Sequence, residues 1–298
     1  MLARKYTYLL ALAREKHFGR AAQQCHVSAS TLSAAIRDLE AELGISIVER
    51  GQSYFGLTAE GQCVLGYAQR MAAAQDDLRQ RLGGMRNGLH GQVRLGVIPT
   101  ALTLVAELSA DLAAENAHAQ IVVQSLATDE ILRRLRAFDI EGGIVYADSA
   151  EHEDLHFSPL WREKHVLLAN DGLSATAVSS MTWAAAGRLP LCLLTPDMQN
   201  RRTIDGVFDT LGLHPIPVIE TNSISSLLAH VSTGPWCTIA PRSVIERIGQ
   251  PRGTHVVQLI APEVVWETGL VTLALRPLSV ATEALRRSAE RVTVANRG

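Results

Sequence analysis

From Gln92 onward the chain alternates short apolar runs with helical stretches, and that rhythm restricts its fold more than any other feature. The runs QVRLGVI, QIVVQSL, GGIVYA, HVLLA, LPLCLL, IPVIET, WCTIAP and GLVTLAL read as strands, too short for buried helices. Helical spacing lies between several of them, over 101–115, 128–137, 201–211 and 222–232. Strands alternating with helices predict α/β units with mainly parallel sheets covered by helices.

The residues before Gln92 follow a different pattern. Tyr6, Leu9, Leu10 and Ala13 have helical spacing, and a second short helix is expected over 19–25, with Phe18 stapling its start. His26 stands where the chain must turn, since His tolerates left-handed backbone better than most residues. Val27 plugs the corner, and Ser28 is a good cap for a third helix. That helix is two-faced: Leu32, Ile36, Leu39 and Leu43 form an apolar stripe, opposite Ser30, Ser33, Ala34 and Arg37. Gly44 ends it. Two helices joined by a short turn, the second with a small polar face, form the geometry that enters a DNA major groove. ISIVERGQSYFGLT then predicts two short strands around Gly51 and Gln52, a wing. The alternative is a purely structural three-helix subdomain.

Thr58 caps a further helix expected to reach about Leu82, where GGMRNGLHG breaks it. Val64, Ala68, Met71, Gln75, Leu78 and Leu82 repeat at alternating spacings of four and three, a heptad seam with one polar position. The seam suits pairing with a second copy, or packing within its own unit.

At 298 residues the chain has room for two or three units, and a net charge of -2 gives no whole-protein signal for nucleic acid. Cys25, Cys63, Cys192 and Cys237 are scattered, without metal-binding spacing, so no metal or other cofactor is expected. Redox sensing by Cys63 or by a Cys192/Cys237 pair is open, although buried structural thiols fit the burial habit of Cys better. The apolar stretch from Tyr6 to Ala13 is too short and too polar for a signal peptide. No run approaches the ~18 apolar residues of a membrane span, so a soluble cytoplasmic protein is expected.

HFGRAAQQCHVSASTLSAAIRDLEAELGISIVER, followed by LTAEG, resembles the DNA-binding domain of LysR-type transcriptional regulators over about residues 1–60. The resemblance implies promoter DNA as partner, with contacts from Ser28, Ser30, Thr31, Ser33, Arg37 and Arg50. It also implies a linker helix and hinge over 61–91 that pairs with a second copy to give a dimer or tetramer, and an effector-binding domain over 92–298. That domain would have two lobes like those of periplasmic binding proteins, about 92–162 with 267–298, and about 163–266. The family usually carries glutamine at Ala29, a basic residue at Ala34 and another near Ser53. Seven basic residues against six acidic ones leave +1 over residues 1–60, so phosphate attraction should be weak per module.

Several strand ends run into helix starts bearing small polar residues: Pro99 and Thr100, Thr128, Asn200, and Thr221 with Asn222. Helix N-termini offer free N–H groups to anions, and such residues are also ordinary caps. In the implied cleft they would bind a small anion, with Arg201 or Arg202 adding charge. CLLTPDMQNRRTIDGVFDTLG and VIETNSISSLLAHVSTGPWCTIAP are similar to a LysR branch that accompanies formate dehydrogenase genes. That similarity implies formate or a comparably small carboxylate, a size that Pro99, Met198 and Trp236 would suit. The competing classes are an α/β enzyme and a two-lobed solute-binding protein. No dinucleotide fingerprint, phosphate loop or nucleophile elbow supports an enzyme.

Overall fold

The computed structural model describes residues 3–49, 56–87, 89–173 and 177–295. These fall into two compact units, Met1–Leu89 and His90–Gly298.

The first unit begins with α1 (Arg4–Glu15), α2 (Phe18–Gln24) and α3 (Ala29–Leu43). Leu9, Leu12, Ala21, Ala22, Leu32, Ile36 and Leu39 bury one core, onto which Phe18 and Val27 pack. The turn between α2 and α3 puts His26 at φ 55, and Ser28 Oγ accepts from Thr31 N at 3.1 Å to start α3. Gly44, at φ 68, ends that helix. Leu43 leaves the stripe assigned to it: on the last turn, it is exposed. His17, which carried no cap signal, accepts from Gly19 N and Arg20 N and so starts α2.

The wing's stems pair through Val48 and Leu57, with Glu49 N donating to Gly56 O. Its tip, with Arg50, Gly51, Gln52 and Ser53, lies outside the described residues. Glu40 reaches from α3 to the first stem, its carboxylate accepting from Ile47 N at 2.7 Å and Val48 N at 3.1 Å. Thr58 caps α4 (Ala59–Asn87) by accepting from Gly61 N at 2.9 Å. Gly61 admits the close approach of the stem, because a Cβ there would lie 2.1 Å from Ile47 O. The helix runs through Gly83 and Gly84 to Asn87, past the break expected near Leu82; two glycines lower propensity by about 2 kcal/mol without ending a helix of this length.

The second unit holds two sheets and a strand pair. In the first lobe, β1 (Gly91–Val97), β2 (Ala119–Ser125), β3 (Gly142–Tyr146), β4 (Leu155–Glu163) and β11 (Trp266–Leu273) form one sheet in the order β2-β1-β3-β11-β4. It carries α5 (Val105–Glu115), α6 (Thr128–Arg136) and α11 (Val280–Ala295). The chain leaves after β4 into the second lobe. There β5 (His165–Asn170), β6 (Ser180–Thr182), β9 (Cys237–Pro241) and β10 (Thr254–Ile260) order as β6-β10-β5-β9, while β7 (Cys192–Leu194) pairs with β8 (Ile219–Thr221). The second lobe's helices are α7 (Trp183–Ala186), α8 (Gln199–Thr210), α9 (Ile224–Thr233) and α10 (Arg242–Ile248). The sheets are mixed rather than mainly parallel, because β4, β6 and β10 join the strands read from sequence and β11 runs antiparallel to both its neighbours.

Two consequences position the site. Val97 pairs in parallel with Ser125, and with Ile144, so β1, β2 and β3 end on one edge of the first lobe. In the second lobe, Leu194 pairs with Thr221 while His165 opposes Pro241, which sets the strand ends near α8 beside the start of β5. A crevice at the carboxyl ends of parallel strands is the usual ligand position in such sheets.

Along α4 the heptad stripe divides. Val64 packs on the core and Ala68 is buried, whereas Met71, Leu78 and Leu82 are exposed at 39%, 56% and 60% in the single chain. Placing charge on that outer half, by Met71→Glu with Leu78→Glu, should leave the fold of the unit intact and reduce the assembly to monomers in sedimentation, since burying an unpaired carboxylate is costly. Retention of the parent's assembly size would mean that the outer stripe is not an interface.

Candidate functional site

On α3, Ser30, Thr31 and Arg37 are exposed and Ser33 is half-buried. Ser28 Oγ lies 2.8 Å from both Ser30 Oγ and Thr31 Oγ1, so three of the expected contact hydroxyls form one cluster at the helix start. Arg37 has no carboxylate partner among the described residues, in contrast to Lys5, which pairs with Glu42 at 2.9 Å. Its guanidinium is therefore free to take a base edge or a phosphate. Glu40, counted among acids that oppose DNA, is spent on the wing's backbone instead.

In the second unit, two of the expected residues converge. Thr100 lies in the short helical turn Pro99–Ala101 after β1, and its Oγ1 is 3.3 Å from Tyr146 OH. Asn200, in the first turn of α8, donates from Nδ2 to the same hydroxyl at 3.2 Å and lies 2.8 Å from His165 Nε2. The relay Thr100–Tyr146–Asn200–His165 thus passes from one lobe to the other through four buried side chains. If the amide is placed so, Tyr146 accepts from Asn200 and donates to Thr100; with the amide turned over, every bond reverses direction. His165 Nδ1 has no partner in either case.

Burial sets the chemistry here. Desolvation pushes His165 down to about 3 from its ordinary 6.5, so it is neutral, and Trp266 packs edge-on against it with ring centroids 4.2 Å apart. Desolvation likewise raises the Tyr146 phenol and holds it protonated. Neither residue was singled out from sequence: both sit inside apolar strand runs, and their one signal was position at a strand end.

The remaining residues are placed as follows. Thr128 begins α6, is buried, and its Oγ1 has no partner, while the preceding Ala127 offers no cap. Met198 precedes α8 without a side-chain cap and packs against the apolar core around Leu228. At α9 the cap is Ser223, not Thr221 or Asn222: Thr221 Oγ1 accepts from Ser223 N at 3.3 Å, and Asn222 is exposed. Arg201 is buried and engaged by Asp205 at 2.9 Å, Glu220 at 2.5 Å and Leu194 O, so it brings no spare charge. Among the described residues, ties between the lobes besides the relay include Gln199 to Asp148 at 3.4 Å, Ser243 to Glu163 at 2.5 Å and Arg247 to Glu107.

The profile described as a LysR substrate binding domain matches residues 86–293, and that of the bacterial regulatory helix-turn-helix protein, lysR family, matches residues 3–62. The chain belongs to the LysR family. A hydrogen peroxide-inducible genes activator of Haemophilus influenzae is 27% identical over 305 aligned positions, spanning 99% of this chain and 96% of that one. A structure of full-length OxyR from Pseudomonas aeruginosa superimposes with a TM-score of 0.76 at 25% identity, covering 97% of this chain and 95% of that chain. CbnR in complex with its target DNA shares the fold at a TM-score of 0.68 and 20% identity, covering 97% of this chain and 99% of that chain. The LysR chain described here is accordingly a DNA-binding transcriptional regulator with an effector-binding domain, and not an enzyme. Among the described residues no helix is long and apolar enough to cross a membrane.

Two measurements follow from this geometry. Arg37→Ala should weaken operator binding by about 1–3 kcal/mol, the value of a bidentate base contact, and an unchanged affinity would remove α3 from the reading role. For His165, the folded state prefers the neutral ring, so its stabilisation is complete above pH 6.5 and is lost as pH falls toward about 3. Glu163, raised by burial, acts with the opposite sign, stabilising at low pH and losing that contribution as pH rises past its ordinary 4.5. The melting temperature of the parent should therefore fall more steeply with acidification through the His165 window than that of His165→Gln; parallel profiles would mean that His165 is not held neutral.

Proposed function

We propose that this LysR-type regulator binds promoter DNA as a dimer or tetramer in the cytoplasm and responds to a small carboxylate, formate or one of similar size, held between the lobes of its second unit. The observation that carries the reading is the convergence of Thr100 and Asn200, from different lobes, on one buried hydroxyl. α6 and α8 begin without a side-chain cap, as do α1, α5 and α10. Uncapped N–H groups and the unpartnered Thr128 hydroxyl are donors suited to an anion. A carboxylate would take over the hydrogen bonds that Thr100 and Asn200 now make with Tyr146, while Pro99, Thr221 and Asn222 would border it. Because such a ligand touches both lobes, it binds the closed arrangement better, and only that difference can shift the equilibrium felt at the DNA.

Hydrogen peroxide is the second reading, favoured by the names of the relatives. Peroxide oxidises thiolates that are exposed and of low pKa. Burial raises Cys192 to about 11 and Cys237 to about 12. The two side chains belong to different apolar cores, and Cys192 adds to the rise of Cys237. At Cys192 and Cys237 burial favours a bound effector over an oxidised one, whereas Cys63 is exposed.

Thr100→Val and Asn200→Ala should abolish the change in operator affinity or bend angle on adding formate or acetate, with binding to DNA in the absence of effector retained. If both variants respond as the parent does, the effector binds elsewhere. If the parent itself ignores these carboxylates but answers peroxide, the second reading stands.

A further inference from the structure

A separate cavity of about 530 Å³ opens beside α8, on the side of Gln199 and Arg202. Its apolar wall includes Val207, Val264 and Trp266, and Asp148, Gln199 and Arg202 add polar groups. Neither Thr100, Asn200 nor Tyr146 lines it. The volume lies within the ~300–1,000 Å³ typical of metabolite pockets.

The polar side of this cavity has a particular order. Gln199 Nε2 donates to Asp148 Oδ2 at 3.4 Å, and Gln199 Oε1 accepts from Arg202 Nε at 2.9 Å. One neutral amide therefore bridges a carboxylate and a guanidinium, presenting an N–H to the first and an oxygen to the second. Arg202 otherwise donates from Nη1 to Asp197 O at 3.1 Å and has no carboxylate partner among the described residues. Asp148 and Arg202 are both exposed, so each charge is reachable from solvent.

We infer that this cavity is a second ligand site, for a free α-amino acid with an apolar or aromatic side chain. The ammonium would replace Nε2 of Gln199 at Asp148, and the carboxylate would replace Oε1 at Arg202. Both exchanges turn a hydrogen bond with one charged partner into one with two, which is the stronger kind. The side chain then lies along Val207, Val264 and Trp266, with apolar surface leaving water. A simple carboxylate satisfies Arg202 and leaves Asp148 uncompensated; a simple amine does the reverse. Only a zwitterion answers both. Occupancy would be sensed by the relay, because Trp266 is both a wall of the cavity and the ring packed on His165.

The test titrates the full-length chain with L-phenylalanine and L-leucine by calorimetry, alongside hydrocinnamate, which lacks the ammonium, and phenethylamine, which lacks the carboxylate. The amino acids should bind, and each truncated analogue should bind about tenfold or more weakly, as expected for loss of a charged hydrogen bond. Arg202→Gln and Asp148→Asn, exposed positions whose replacement leaves the cores untouched, should each weaken binding by a similar factor. Gln199→Ala should tighten it severalfold, because the internal competitor is gone; a purely structural glutamine would not give that sign. Absence of binding by both amino acids in the millimolar range would overturn the inference, as would equal binding of hydrocinnamate. So would loss of binding in Thr100→Val with retention in Arg202→Gln, which would move the ligand to the relay. The carboxylate reading of the relay is tested by the Thr100 and Asn200 responses alone and can fail or stand independently.

Discussion

The hydroxyl of Tyr146 is buried where the two lobes meet, and it cannot be satisfied by either lobe alone. Thr100 answers it from the first lobe and Asn200 from the second. A buried polar group without a partner costs about 1–3 kcal/mol, so opening the lobes without admitting water or ligand would expose that penalty. His165 extends the dependence, since its Nε2 is met by the same Asn200 amide and its ring is held by Trp266. A ligand entering there has to replace those bonds one for one.

Charge is arranged to leave that centre neutral. Arg201, next to Asn200 in sequence, is turned away into Asp205 and Glu220. In the first lobe Arg94 pairs with Glu141, Arg136 with Asp154 and Arg291 with Asp111, each within 2.7 Å. Arg202 differs, meeting only an amide and a main-chain oxygen among the described residues. The relay thus works through dipoles and protons in a low-dielectric setting, whereas the neighbouring cavity keeps its charges in contact with water, where they are cheap to hold and easy to exchange.

The first unit was largely legible because its signals are local. A cap at Ser28, a left-handed turn at His26, a buried stripe at Leu32, Ile36 and Leu39, and a terminal glycine at Gly44 lie within one short stretch. The second unit was legible as alternating strands and helices but not as mixed sheets. Edge strand β4 interrupts its alternation at Pro159, β6 is too short for any period, and antiparallel pairing of β11 is a long-range fact. At the site, Thr100 and Asn200 could be read from small polar residues at strand ends. Tyr146 and His165 could not, since inside GGIVYA and HVLLA they look like core. The same limit hid the fate of Arg201, a helix residue whose partner Glu220 belongs to β8.

The carboxylate of Glu40 joins the reading helix to the strand that leads into the wing, through two main-chain N–H groups. Such a brace restrains the first stem of the wing against α3. Ordering a mobile element costs free energy at the moment of association, and an element already ordered avoids that cost. A module of nearly zero net charge attracts the duplex weakly from a distance, so stiffness takes on a share of the work that electrostatics does elsewhere. Its affinity should then depend less on ionic strength than on shape, and a change within the brace would be transmitted to both contact elements together.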